Sequence, residues 1–276
     1  MQSNQSRRVI VIGSGIGGLT AAARLAAAGH DVTVVEKLDG PGGRAYVYKR
    51  DGFTFDAGPT IITAPYVFEQ LWEDCGYTLS EDVSLKQCDP FYKIRFDDGT
   101  EFSYSGDHDQ MRAEVAKFDP SDVDGFERFN TVSARIFEVA FTKLAAKPFH
   151  SLLFTAQTLT ELVWLGGYRT VYSKVCDYFK NPKLRIVFSF HPLLIGGNPF
   201  TTTAYYCLIA HLERRYGVHY AVGGTGALVK GILGLVERHG GTVRYDSVVS
   251  EITTSGRQVT GVKLADGEHL DADIVV

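Results

Sequence analysis

The sequence predicts an α/β fold built on a parallel sheet, and three observations carry that expectation. Val9 to Ile12 is a short, wholly apolar run, as a strand covered on both faces should be. A glycine turn comes next, and then Leu19 to Ala28, rich in Ala and Leu, makes a good helix that Gly29 ends. Val32 to Val35 is a second apolar run, closing at Glu36. Strand, helix and strand in that order form a β-α-β unit.

The later elements can be read in order along the chain. A loop holds Pro41, Gly42 and Gly43. Alternating Tyr46 and Tyr48, then Phe53 and Phe55, read as two strands joined at Asp51-Gly52. Residues 66 to 75 look helical. Phe91 to Phe96 and Glu101 to Tyr104 read as a hairpin turning through Asp97-Asp98-Gly99. From Asp107 to Tyr216 the pattern is mostly helical, punctuated by Pro120, Pro148, Pro182 and Pro199. A glycine cluster at Gly223 opens a helix reaching His239. Thr242 to Ile252 and Gln258 to Leu264 read as strands with Gly256 at the turn. Ala272 to Val276 reads as a strand just beginning, so the chain is expected to be a fragment with its C-terminal portion missing.

The first turn is the most informative stretch. Gly13-Ser14-Gly15-Ile16-Gly17-Gly18 sits between the first strand and the helix. Gly13 allows a tight turn, Gly15 lets the backbone approach a pyrophosphate, and Gly18 lets the helix pack closely on the sheet. Phosphates would then lie at the positive end of the helix dipole. Glu36 ends the second strand 18 residues after Gly18, where a carboxylate accepts bonds from ribose hydroxyls. A lone glycine pattern is weak evidence. Here strand, glycines, helix, strand and acid all fall in order.

Composition excludes several function classes. Of 276 residues 45% are hydrophobic and 22% charged, so a sizeable core is expected. A net charge of −4, from 28 basic and 32 acidic side chains, predicts no nucleic-acid partner. The four cysteines, Cys75, Cys88, Cys176 and Cys207, form no CxxC pair, so no metal site and no disulfide framework is expected. The polar N-terminus is not a signal peptide, and no run approaches the ~18 apolar residues of a membrane span. A cytoplasmic protein, or one resting on a membrane surface, is expected.

The residues beyond Glu36 favour FAD over NAD. Pro41-Gly42-Gly43-Arg44 would bring backbone amides and one guanidinium to a diphosphate. Asp56-Ala57-Gly58-Pro59-Thr60 reads as a close-approach loop that would lie against a flavin ring. The alternative for each is a plain surface loop.

With these residues in view, the sequence resembles the flavin-binding oxidoreductases that include amine oxidases and carotenoid desaturases, and most closely the bacterial-type phytoene desaturases. The strings that carry the resemblance are Gly42 to Tyr48, Gly52 to Thr60, Val171 to Val175, Phe188 to His191, Gly196 to Phe200 and Gly223 to Leu228. The last four are more specific than the glycine motif. The fold this resemblance implies is α/β. It has a Rossmann-like FAD-binding domain of the glutathione-reductase type, interleaved with a mixed-sheet substrate domain and a helical membrane-facing part. On the sequence these fall at 1–75 (FAD domain, first part), 76–130 (substrate domain, partial), 131–216 (helical lid) and 217–276 (FAD domain, second part). The resemblance also implies that Gly13, Ser14, Gly15, Gly17, Gly18, Glu36, Lys37, Gly43, Arg44 and Thr60 line the FAD site, with Val249 contacting the adenine end through its backbone.

The activity implied is desaturation of phytoene to lycopene or neurosporene, with hydride passing from an allylic C–H to flavin. The implied partners are a hydrophobic polyene, a membrane surface on the inner face of the cell membrane, and quinone or oxygen as electron acceptor. Besides the missing C-terminal portion, one departure from the family bears on catalysis. Leu152 to Gln157 carries no ionisable group where relatives carry acids and bases, so no catalytic residue is assigned.

A hydrocarbon substrate predicts an apolar tunnel and a membrane dock. Phe149 to Gly167 is rich in large apolar residues. Between Ile136 and Arg185 the basic Lys143, Lys147, Arg169, Lys174, Lys180, Lys183 and Arg185 outweigh Glu138, Glu161 and Asp177. This pattern reads as a basic amphipathic surface helix or as an ordinary lid helix. Phe188 to Ile195 reads as core with partial tunnel lining. His191 reads as a core histidine with a satisfied hydrogen bond, or as a proton acceptor. Glu213, Arg214 and Arg215 read as an exposed, self-paired cluster. Three alternatives stay open: a related carotenoid or diapophytoene desaturase, another amine-oxidase-like flavoenzyme, and an inactive product that retains only FAD-domain scaffolding.

Overall fold

The structure is a computed structural model that describes residues 6–143, 163 and 166–276. The chain divides into two compact units. One joins residues 1–86 to 219–276, and the other is the continuous stretch 87–218.

The first unit is built around strand β1 (Arg8–Ile12), helix α1 (Ile16–Ala27) and strand β2 (Asp31–Val35). β1 and β2 pair in parallel from Arg8–Asp31 to Ile12–Val35. Ile274–Val275 flanks β1 and Thr242–Arg244 flanks β2, completing a four-stranded parallel sheet. Alternation along β1 sends its side chains to two different cores. Val9 and Val11 join α1 and the helix Thr225–Arg238 through Leu19, Ala22, Ala23, Ile232 and Leu235. Ile10 faces the other way, towards Val262, Leu264 and Ala272. Those residues belong to a three-stranded antiparallel sheet and its flank, formed by Val249–Ser255, Gln258–Leu264 and His269–Asp271. The parallel sheet is therefore covered on both faces, which is why Val9 to Val11 and Val34 to Val35 are apolar at successive positions.

A hairpin of β3 (Val47–Arg50) and β4 (Phe53–Asp56) also belongs to this unit. It turns at Asp51 (φ 51°) and Gly52 (φ 81°), the two positive-φ positions of a tight hairpin turn. One expectation is corrected here. Thr242 to Ile252 is not one strand. Thr242–Arg244 ends in the parallel sheet, Asp246 takes φ 52°, and Val249–Ser255 begins the antiparallel sheet. The β-rich composition of the stretch is real, but the chain changes layers in its middle.

The second unit packs the hairpin Tyr92–Arg95/Glu101–Tyr104 against helices. The helices His108–Phe118, Val123–Phe137, Pro182–Ser189 and Leu208–Tyr216 are its main ones among the described residues. Its core is aromatic. Phe102, Tyr104, Phe126, Phe129, Phe179 and Phe188 are all buried, and Phe179 stacks on Phe188 with centroids 4.3 Å apart. Buried Asp122 fastens the helix Pro182–Ser189 by accepting the N–H groups of Lys180 and Asn181 at 2.8 Å. Most of Phe149 to Gly167, and with it the amphipathic helix expected there, lies outside the described residues.

Candidate functional site

The glycine motif splits into packing and open positions. β1 ends in a turn at Gly13 (φ 98°), whose N–H is held by the Val35 carbonyl at 2.8 Å. A Cβ on Gly18 would sit 2.0 Å from the Gly13 carbonyl oxygen, so only glycine lets α1 start this close to the strand. A Cβ on Gly13, Gly15 or Gly17 would meet nothing within 4 Å. These three face open space. Gly15 is the N-cap of α1, no side chain caps that helix, and its first turn holds no acid. The first-turn amides and the positive end of the dipole are thus left for an anion.

Glu36 lies at the end of β2 and is 5% exposed. Its Oε2 accepts the Ser14 N–H at 2.7 Å and the Ser14 hydroxyl at 2.8 Å, and its Oε1 accepts the Leu38 N–H at 2.9 Å. Burial pushes this carboxyl up. The donors from Ser14 and Leu38 outweigh that effect, and it titrates below its usual range. An ionised carboxylate still has lone pairs for a further hydroxyl. The Ser247 N–H bonds the Glu36 carbonyl at 2.8 Å, so the strand carrying half-buried Val249 begins beside it. Lys37 is exposed.

The loop after β2 returns to the glycine turn. The Gly42 N–H bonds the Ser14 carbonyl at 2.9 Å, and Gly15 and Gly42 form an isolated parallel bridge. A Cβ on Gly43 would lie 3.1 Å from the Gly15 Cα. Arg44 is exposed, and among the described residues no acid pairs with it. Gly58 lies so close that its Cβ would be 2.1 Å from the Arg44 carbonyl oxygen. The structure therefore brings Gly13, Ser14, Gly15, Gly17, Gly18, Glu36, Gly43 and Arg44 together. Thr60, exposed, stands two residues beyond Gly58.

One junction was not legible in the sequence. The Asp56 carboxylate accepts the Thr225 N–H at 3.2 Å, and the Thr225 hydroxyl donates to the Pro59 carbonyl. A Cβ on Gly224 (φ 81°) would strike that carboxylate. The strings around Asp56 and Gly224 each stand out as glycine-rich, but nothing local says that they meet.

The residues fit the ADP portion of a dinucleotide. Uncapped amides, open space and an unpaired arginine suit a diphosphate, and Glu36 suits a ribose. The family model for flavin containing amine oxidoreductases matches residues 16–276. The chain belongs to this family. The flavin-containing family accords with the FAD read from the sequence. Among similar proteins, the lycopene-forming phytoene desaturase of a Paracoccus species is 43% identical, over 99% of this chain and 54% of the relative. The neurosporene-forming phytoene desaturase of Rhodobacter capsulatus is 42% identical, over 98% of this chain and 52% of the relative. The chain thus spans about half the length of the curated relatives it matches. A solved putrescine oxidase, 16% identical, shares the fold with a TM-score of 0.61 over 98% of this chain and 57% of its own.

The second unit holds a buried polar cluster that corrects two expectations. Glu213 is not exposed. It is 0% exposed and accepts the Tyr92 hydroxyl at 2.7 Å. Burial, with Glu213 beside it, pushes the Tyr92 hydroxyl far above its usual range. His191, 1% exposed, brings Nε2 to 3.3 Å from Glu213 Oε2, yet neither ring nitrogen makes a well-aligned hydrogen bond. Phe188 and Pro192 are buried, while Leu193, Leu194 and Ile195 are 61%, 40% and 55% exposed.

Proposed function

We propose that this chain forms the N-terminal half of an FAD-dependent desaturase that converts phytoene to lycopene or neurosporene. The observation that carries the reading is the joined cradle of Ser14, Glu36 and the Gly42–Arg44 turn, in a chain more than 40% identical to phytoene desaturases. In this reading Gly13, Gly15 and Gly17 leave room for the diphosphate, and Gly18 keeps α1 close enough to present its amides. Glu36 holds a ribose hydroxyl. Gly43 and Arg44 close over the phosphates, and Thr60 and Val249 line the flavin and adenine ends. Lys37 adds positive charge at the rim.

Flavin, when bound, supplies the two-electron oxidising chemistry. The protein must bind the apolar chain of the polyene, orient one allylic carbon and exclude water. Quinone or oxygen takes the electrons afterwards. A hydrocarbon this insoluble is drawn from a bilayer, so the protein works on the inner surface of the cell membrane. Among the described residues no helix is long and apolar enough to cross one.

The test is expression of the full-length protein, beside this chain, in a bacterium that accumulates phytoene. Coloured polyene made by the full-length protein, with one flavin per chain, supports the reading. Unchanged phytoene despite bound flavin removes the substrate and leaves the flavoprotein.

A further inference from the structure

The segment around His191 inverts the usual distribution of polar and apolar side chains. An exposed apolar cluster beside a buried polar one is the informative case, because each alone is unfavourable in water or in a core. Here His191 and Glu213 are inside, while three aliphatic residues of the same turn, Leu193, Leu194 and Ile195, are outside. The sequence from Ile186 to Leu212 contains no Asp, Glu, Lys or Arg, so the exposed turn carries no formal charge of its own.

The turn His191–Ile195 is closed by its own backbone. The Gly197 N–H bonds the Pro192 carbonyl at 2.8 Å, and the chain leaves through Gly196 at φ 74°. Its root is fixed from several sides. The His191 ring stacks on Phe190 with centroids 4.4 Å apart and meets the edge of Tyr104 at 5.6 Å. Glu213 approaches from the helix Leu208–Tyr216, and Tyr92 holds the other oxygen of that carboxylate from the hairpin. An apolar root would pack in several rotations. A carboxylate that accepts the Tyr92 hydroxyl and faces the His191 ring at 3.3 Å fixes one arrangement, and removing one member of a buried polar cluster is costly.

We propose that His191 and Glu213 are positioning residues that hold the uncharged turn in the pose in which a polyene chain lies along Leu193, Leu194 and Ile195. This rests on the desaturase reading above. Both side chains are sealed from solvent, so they act through the turn and do not touch substrate. An uncharged hydrocarbon is the occupant that matches a turn presenting apolar side chains and no charge of its own.

The experiment uses the full-length enzyme with phytoene supplied in phosphatidylcholine vesicles. His191→Leu should raise the apparent KM about fivefold, the scale of one disturbed buried polar contact, with kcat within about twofold of the wild type. His191→Gln, which keeps a donor, should recover most of the loss. Unchanged KM, or a fall in kcat at constant KM, overturns the proposal, the latter because it would place His191 in the chemistry. If His191→Leu does not fold, Glu213→Gln carries the same test, since it keeps the shape and replaces the carboxyl that faces His191. Flavin-loaded wild type that turns over no phytoene sinks the desaturase reading itself, and that outcome is separable from any comparison of variants.

Discussion

At the scale of single residues, adjacent glycines in one motif serve opposite purposes. A Cβ at Gly17 meets nothing within 4 Å, and this residue lies inside α1. Gly17→Ala should therefore raise the stability of the chain by about 0.4–1 kcal/mol, by narrowing the conformations open to the unfolded chain. The same methyl enters the space in front of the first-turn amides, so flavin retention by the full-length protein should fall. Gly18→Ala places its Cβ 2.0 Å from the Gly13 carbonyl and should cost about 3 kcal/mol as strand and helix are forced apart. Thermal melts of both variants with absorbance at the flavin band check the pair, and equal signs in the melts would refute the division. Glu36 adds a pH dependence. Its carboxyl is held below the usual range, so its stabilising contribution is complete above its unfolded value of 4.5 and is lost as pH falls through the lowered folded value. Glu36→Gln should flatten that acid limb and leave Ser14 and Leu38 with a poorer acceptor. Urea melts at several pH values between about 3 and 7 read it directly.

At the scale of elements, the hairpin β3–β4 exposes Tyr48, Phe53 and Phe55 at 58%, 68% and 54%. A two-stranded ribbon is marginal alone, and an exposed aromatic face on one is a surface awaiting cover. Replacing Phe53 and Phe55 by Ser should change the melting free energy of this chain by less than about 0.5 kcal/mol per site, as for exposed positions. Binding of a hydrophobic dye should drop at the same time. A large destabilisation would show that these rings already pack in the chain. The hairpin was legible in the sequence because alternation and an Asp-Gly turn are local signals. So were β1, α1 and β2, whose apolar runs answer to a sheet covered on both sides. Two other features were not legible. The change of layer at Asp246 depends on where the preceding strand ends in the sheet, which no window of residues encodes. The meeting of Glu213 with His191 and Tyr92 joins three elements across the second unit. A glutamate next to two arginines reads locally as a solvated cluster, and only tertiary packing turns its carboxylate inward.

At the scale of the whole molecule, the second unit is an insertion in the first. The chain leaves near Lys86 and returns near His219. Its two ends are adjacent on either side of the break. Within the first unit the Val222 N–H bonds the Ser84 carbonyl at 2.8 Å, and within the second the Cys88 N–H bonds the Val218 carbonyl at 2.8 Å. Insertions survive where the flanking backbone is already close, because little loop entropy is spent in closing the gap. The main core of the first unit draws only on its own residues, from Val9 to Val83 and from Ala221 to Val236. Replacing residues 87–218 by a flexible Gly/Ser linker of about four residues should leave a chain that still folds, since turns of that length join adjacent strands routinely. Far-UV circular dichroism should show mixed helix and strand with one cooperative thermal transition. Glu36→Ala in this shortened chain should lower that transition, because three hydrogen bonds to the carboxylate are lost from a buried place. A shortened chain without a cooperative melt would show that the nucleotide cradle draws its stability from the inserted unit. A cooperative melt that Glu36→Ala does not shift would show instead that the link between Ser14 and Glu36 serves the ligand and not the fold.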